Sequence, residues 1–208
     1  MNFKQLIICI SEFLSSLSYT ILSSFYPGLA ISKGISLSTI GILFSLDPLI
    51  GLPTSLLVGK HMSKVGRRFI LILGMTLSTI GIFLIGVLEQ SDYTQALTIS
   101  ILSRLFAGVG AGCSMVAAPS ILISEYPGQT DKLIGYFEAF SGLGLLVGPI
   151  LGSLFSLYSI TLSFFICSGF YALYTGVCFL MLRKLKPCEK NSNILPFRTI
   201  AGKPVWTN

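Results

Sequence analysis

Apolar residues gather in six long stretches, and short polar segments separate them. A helix needs about 20 mainly apolar residues to cross the hydrocarbon core of a bilayer. The pattern therefore predicts six transmembrane helices, at residues 5–29, 37–58, 69–88, 95–123, 133–157 and 160–182. The segments between them are short, and we expect hairpin loops at 33–34, 59–68, 89–93 and 126–129. Since Glu12 interrupts the first stretch and no A-x-A pattern follows, we expect a membrane helix there rather than a cleaved signal peptide.

Composition supports this fold class, an all-α polytopic membrane bundle over residues 1–182. Of the 208 residues, 52% are hydrophobic and 11% are charged, and the mean hydropathy is +0.82. Soluble domains carry roughly 25% charged residues, so a soluble domain is excluded, and the lipid bilayer is the first expected partner. Residues 183–208 mix charge with Asn and Pro, and we expect a cytosolic basic tail there.

Metal and enzyme chemistry are not predicted. The chain has one histidine, His61, and its five cysteines show no C-x-x-C spacing. We expect these cysteines to be buried apolar residues rather than a disulfide or zinc framework. Neither H-E-x-x-H nor G-x-S-x-G occurs, so the sequence predicts no cofactor, no metal and no enzymatic activity.

The net charge of +6 is distributed unevenly across the predicted membrane. Twelve basic residues fall on the side of the N-terminus: Lys4, Lys60, Lys64, Arg67, Arg68, Lys132, Arg183, Lys184, Lys186, Lys190, Arg198 and Lys203. The opposite side carries only Lys33. Cytosolic loops of membrane proteins are enriched in Lys and Arg, so both termini are predicted to be cytosolic. The basic residues form no soluble basic face, so nucleic acid is not an expected partner.

The segment from Gly59 to Arg68 carries a recognisable signature. It reads GKHMSKVGRR and resembles the helix 2–3 motif of the major facilitator superfamily, G-x-x-x-D-R/K-x-G-R/K-R/K. Gly59 and Gly66 permit a tight turn, and Arg67 and Arg68 place cations at the cytosolic surface. This chain has Ser63 where the family has an acidic residue. The contact that this acidic residue usually makes with the second half of the transporter is therefore not expected here. A generic positive-inside loop is the alternative interpretation.

Helix 4 carries a second signature, R-x-x-x-G-x-G, within the segment from Arg104 to Gly112, which reads RLFAGVGAG in this chain. An arginine inside a membrane helix is costly and normally faces a cavity or a partner. The alternative is that Arg104 extends to the lumenal interface, which lies roughly 13 Å away along the helix. The resemblance to the superfamily implies a role in conformational change for Gly108 and Gly112.

Helix 5 carries a third signature, G-x-x-x-G-P-x-x-G, which is similar to the motif of the superfamily's antiporters. Gly144, Gly148 and Gly152 recur at every fourth position and form a smooth stripe for close helix packing. Pro149 is expected to kink the helix. A purely structural glycine zipper would explain the glycines, but not three signatures in order on the right helices.

A narrower resemblance covers most of helices 1 to 6. The segments SYTIL (18–22), FYP (25–27) and EAFSGLG (138–144) resemble the vesicular amine and polyamine transporter branch. Monoamine members have an aspartate where this chain has Ser15 and a lysine where it has Asp47, so the resemblance implies antiporter architecture without monoamine selectivity. It further implies alternating access by two six-helix halves, with proton-coupled antiport of an organic cation in a vesicular or plasma membrane.

The second half is then the missing C-terminal half, another copy or a partner chain, and residues 183–208 correspond to the start of the central linker. The competing class is a non-transporting membrane protein, either a truncated paralogue or a structural subunit of a larger complex. A six-helix chain is compatible with both classes.

Helical geometry identifies candidate binding groups independently of the resemblance. Polar side chains form one stripe on helix 1: Glu12, Ser16, Tyr19, Ser23 and Tyr26. Asp47 on helix 2 and Glu138 on helix 5 add two more carboxylates, and Arg104 is the only basic residue inside the bundle. One arginine cannot pair with three carboxylates, so at least two should be neutral or face the lumen or the substrate. We expect Glu138 to be the main coupling carboxylate, with Glu12 weaker because it lies nearer the cytosolic end of its helix.

Overall fold

The chain folds into six helices in a computed structural model, which describes residues 3–182 apart from 127 and 158. They are α1 (Phe3–Ser32), α2 (Leu37–Val65), α3 (Arg67–Gly86), α4 (Tyr93–Glu125), α5 (Thr130–Ser156) and α6 (Ile160–Met181). A short 3-10 helix, Val87–Gln90, follows α3, and the described residues contain no strand. All six helices are long and apolar enough to cross a membrane. The all-α, six-helix membrane fold class is thus confirmed, and the basic tail 183–208 lies outside the described residues.

The segment 59–68 differs from the loop that the sequence predicts. α2 continues through Gly59 to Val65, and α3 begins at Arg67, so the turn consists of Gly66 alone. Gly66 has φ +99° and donates its N–H to the Met62 carbonyl, a conformation that favours glycine. Gly59 is exposed, and a Cβ added there would meet nothing within 4 Å. The turn therefore needs Gly66 but does not use the conformational freedom of Gly59.

Local sequence explains where the helices begin on the opposite side of the bundle. The Ser36 hydroxyl accepts a hydrogen bond from the Thr39 N–H and caps α2, and Asp92 and Gln95 form a capping box at the start of α4. Between α1 and α2, Gly34 has φ +82° and closes the turn. These caps satisfy backbone donors that the membrane could not.

Small residues bring several pairs of helices close together, among them α1 with α5 and α2 with α4. The α5 stripe of Gly144, Gly148 and Gly152 packs against α1, where an added Cβ at Gly144 would lie 2.5 Å from the Phe13 carbonyl oxygen. On α4, an added Cβ at Gly112 would lie 2.6 Å from the Gly51 carbonyl oxygen of α2. Both stripes are thus real packing faces, as small residues in membrane helices often are. α5 continues through Pro149 as one helix.

The helices differ in how much of their apolar surface the bundle covers. Within the most apolar 18-residue segment of each helix, 50% is buried inside the bundle in α1 and in α4, but only 11% in α2 and 17% in α5. Four cysteines, Cys9, Cys113, Cys167 and Cys178, are buried and unpaired, while Cys188 lies outside the described residues. α2 and α5 are the helices whose apolar faces the described chain leaves most open.

Candidate transport site

A cavity of about 530 Å³ opens between α1, α2 and α4. Its wall is mainly apolar, and Leu145 of α5 and Tyr171 of α6 also border it. The polar side chains that line it are Ser15, Ser16, Ser18, Tyr19, Asp47, Ser55, Ser78 and Tyr171. A concave, largely apolar space with a few polar groups is the usual form of a small-molecule site.

Arg104 and Asp47 form a salt bridge between α4 and α2. Arg104 Nη1 lies 2.8 Å from Asp47 Oδ2, the Arg104 side chain is 0% exposed, and that of Asp47 is 15% exposed. Arg104 therefore does not extend to the membrane interface, because its charge is paired inside the bundle. Asp47 borders the cavity, whereas Arg104 lies behind it.

Two aromatic rings enclose the Arg104 guanidinium. Its central carbon lies 4.1 Å from the ring centroid of Phe44 and 4.8 Å from that of Tyr26, while the two rings meet edge to face with centroids 5.8 Å apart. Cation–π attraction is strongest where the cation is desolvated, as it is here. We call Arg104, Asp47, Phe44 and Tyr26 the arginine cluster; it joins α1, α2 and α4.

The glycine signature of α4 explains how Arg104 reaches Asp47. An added Cβ at Gly108 would lie 3.0 Å from the carbonyl oxygen of Asp47 itself. Gly108 and Gly112, one and two turns beyond Arg104, let α4 approach the α2 backbone closely enough for a direct salt bridge.

Glu12 and Glu138 form a second charged group, between α1 and α5. Glu12 interacts electrostatically with Glu138 and with the hydroxyls of Ser16 and Ser141, whose oxygens lie 2.9 Å apart. Glu12 is half-buried, and Glu138 is exposed. Among the described residues, the salt bridges are Lys4 with Glu125 and Arg104 with Asp47, so neither Glu12 nor Glu138 has a cationic partner there. We call Glu12, Glu138, Ser16 and Ser141 the carboxylate pair site.

The two charged groups lie at different depths. Glu12 follows the first residue of α1 by nine positions and Glu138 that of α5 by eight, which places both roughly 12–14 Å from their helix starts. The sequence-based expectation that Glu12 lies nearer the end than Glu138 therefore does not describe the structure. Tyr26 lies 14 residues beyond Glu12 on α1, so the arginine cluster is about 21 Å farther along the bundle.

Not all of the candidate residues lie together. The cavity brings Tyr19, which is 54% exposed, beside Asp47, while Glu12, Glu138 and Arg104 are not among its lining residues. Ser16 connects the two regions, because it lines the cavity and also contacts Ser141.

Sequence reasoning missed Phe44, Ser141 and Tyr171. Phe44 precedes Asp47 by three residues and Ser141 follows Glu138 by three, so helical spacing could have identified both. Tyr171 lies on α6, and no local signal in its sequence marks it.

The basic signature lies away from the cavity, on the side of the termini. Arg68 donates a hydrogen bond to the Phe179 carbonyl of α6, and its guanidinium lies 5.3 Å from the Phe179 ring centroid. Arg67 is half-buried at the first position of α3. Arg68 therefore fastens the start of α3 to the end of α6, and Gly66 sets the direction of the turn before it.

Known transporters resemble this chain over much of its length. It is 37% identical to the MFS-type transporter SLC18B1 of Rattus norvegicus over 139 residues, which are 66% of this chain and 30% of that protein. It is 32% identical to the riboflavin transporter RibZ of Clostridioides difficile over 193 residues, 91% of this chain and 41% of the relative. It is 30% identical to the class B tetracycline resistance protein of Escherichia coli over 112 residues, 54% and 26% of the two chains.

The chain thus spans less than half the length of these relatives. The family model described as Major Facilitator Superfamily matches residues 8–206, which is nearly the whole sequence. Six membrane-spanning helices, three signatures in order and a central cavity agree with that match. The chain belongs to the Major Facilitator Superfamily, a family of membrane transporters.

Proposed function

We propose that this bundle is one half of an alternating-access transporter that exchanges an organic cation, an amine or polyamine, for protons. The observation that carries the proposal is the carboxylate pair site, where Glu12 and Glu138 interact without a cationic partner among the described residues. The relative named as a riboflavin transporter takes a different cargo, so family membership alone does not select an organic cation.

The electrostatics of the pair suit an exchange reaction. Two adjacent carboxylates repel each other when both are ionised, and either a proton or a cationic cargo removes that repulsion. The two ligands therefore compete for the same pair. Binding of the cation on one side of the membrane and of the proton on the other yields antiport once the site alternates between the two sides.

Alternation requires a second six-helix bundle, since in this architecture two halves rock around a site near the bilayer midplane. The open apolar faces of α2 and α5 support this requirement. We propose that the second bundle covers them, whether it comes from further chain, another copy or a partner chain.

The test uses the complete transporter, with both bundles, reconstituted in liposomes with an acidic lumen. We expect the pH gradient to drive uptake of radiolabelled spermidine, and addition of spermidine without a gradient to move protons, as reported by a lumenal pH dye. Protein-free liposomes give the background. Uptake of riboflavin without uptake of spermidine would contradict the proposed cation cargo, and spermidine uptake that ignores the gradient would contradict proton coupling.

The orientation is a separate prediction. The charge distribution places the Gly66 turn in the cytosol, so in a cysteine-free background Ser63→Cys should react with a membrane-impermeant maleimide from the cytosolic side. Gln90→Cys, at the opposite end, should react only from the other side. Both positions are exposed, so the two labels are matched in access to water. The reverse labelling pattern would overturn the assignment of both termini to the cytosol.

A further inference from the structure

The salt bridge between Arg104 and Asp47 leaves three buried polar atoms without a partner in the described part of the chain. They are Oδ1 of Asp47 and the Nε and Nη2 nitrogens of Arg104. An unsatisfied buried polar atom costs free energy, and a charged one costs more. The rings of Phe44 and Tyr26 pack against the Arg104 guanidinium and offset part of this cost. Among the described residues, no comparable contact offsets the cost at Oδ1 of Asp47.

Asp47 is the member of the arginine cluster that borders the cavity. Its side chain is 15% exposed, while Oδ1 itself is buried and has no partner among the described residues. A donor that enters the cavity and reaches this oxygen therefore meets an acceptor that is already free. Arg104 need not be displaced, because it occupies the other oxygen, Oδ2.

We propose that Asp47 divides its carboxylate between two partners: Oδ2 holds Arg104, and Oδ1 accepts a hydrogen bond from an N–H group of the cargo. The inference rests on the proposed transport of organic cations and narrows the cargo to amines that keep at least one N–H on the nitrogen near Asp47. Arg104 acts as a positioning residue, and Phe44 and Tyr26 hold it in place.

The geometry predicts that the site selects its cargo by the ability to donate a hydrogen bond, in addition to its charge. Arg104 neutralises the formal charge of Asp47, so a cation gains little Coulomb attraction from the pair as a whole. An N–H donor still gains a charge-assisted hydrogen bond to a carboxylate oxygen, which is stronger than a neutral one. A quaternary ammonium of equal charge has no N–H to donate and leaves Oδ1 unsatisfied.

The decisive measurement compares two competitors of equal charge and spacing on the complete transporter in detergent. Butane-1,4-diamine and its bis(trimethylammonium) analogue are titrated against bound radiolabelled spermidine. We expect the diamine to compete at least about tenfold more strongly, the ratio that one charge-assisted hydrogen bond supplies. Equal competition by both would overturn the inference while leaving cation transport intact, and the absence of any cation binding would overturn both.

Variants locate the selectivity at Asp47. Asp47→Asn should remove the preference for the diamine, because the amide oxygen accepts from Arg104 and its NH₂ group then faces the cargo as a donor. Asp47→Glu keeps the charge but shifts the free oxygen, so it should retain cation binding with a smaller preference for the diamine over the bis(trimethylammonium) analogue. Loss of selectivity in Glu138→Gln with full selectivity in Asp47→Asn would overturn the assignment.

Asp47→Asn leaves Arg104 without an anion, and breaking a buried pair in this way typically destabilises the fold. Phe44→Leu therefore tests the positioning role with the ion pair retained. It should raise the KM for spermidine several-fold with little change in the maximal rate, and Phe44→Tyr should restore it. An unchanged KM in a folded Phe44→Leu protein would contradict positioning through Arg104.

Discussion

Gly148→Leu is expected to prevent assembly of the bundle. A Cβ at this position would lie 2.9 Å from the Thr20 Cβ and 3.0 Å from the Leu17 carbonyl oxygen, and both neighbours belong to the backbone-proximal part of α1. Leucine adds three more carbons where even one does not fit. Overpacking of this kind typically costs about 1–3 kcal/mol, and here rigid helix backbones on both sides limit relaxation. Yield and melting temperature of the purified protein measure the effect.

Gly142→Leu is the matched control on the same helix. An added Cβ at Gly142 meets nothing within 4 Å, so the leucine has space and α5 gains helix propensity. Gly148→Ala should fall between the two, because it adds a single clashing carbon. Equal melting temperatures for Gly148→Leu and Gly142→Leu would show that the α1–α5 contact is looser than the structure indicates.

The packing role of these glycines was predictable from sequence, because a repeat of four places them on one helical face. Their partner was not predictable, since spacing on α5 contains no information about α1. The six helices were equally predictable, because length and hydropathy decide whether a segment spans a bilayer. The ends were less so: the polar segment 59–65 continues α2, since backbone hydrogen bonds can extend a helix beyond the apolar stretch.

The number of charged residues in the sequence did not show which carboxylate pairs with Arg104. One arginine among three carboxylates implies that two carboxylates remain without it, and the structure shows that Asp47 is the one that pairs. That choice depends on the close approach of α4 to α2 at Gly108, a tertiary contact. The juxtaposition of Glu12 and Glu138 likewise depends on how α1 and α5 pack, and each helix by itself shows only an isolated glutamate.

We expect Glu138→Gln to reduce the uptake of spermidine driven by a pH gradient at least about tenfold, without unfolding the protein. The side chain is exposed in the described bundle, so the amide causes no burial cost or clash. It cannot bind a proton as the carboxylate does, and it removes one of the two charges that attract the cation. Exchange of labelled for unlabelled spermidine at equal pH separates the two losses, because that reaction needs no net proton movement.

Glu12→Gln is the companion variant, since both carboxylates lie at similar depth along their helices and interact electrostatically. If the pair holds one proton between them, each single variant should lose gradient-driven uptake, and the double variant should be no worse than either. Glu125→Gln is the control: its carboxylate pairs with Lys4 at 3.3 Å on the exposed end of the bundle, so transport should continue. Normal coupling in Glu138→Gln but not in Glu12→Gln would make Glu12 the main carboxylate. Normal coupling in both variants would place the proton site away from the carboxylate pair site.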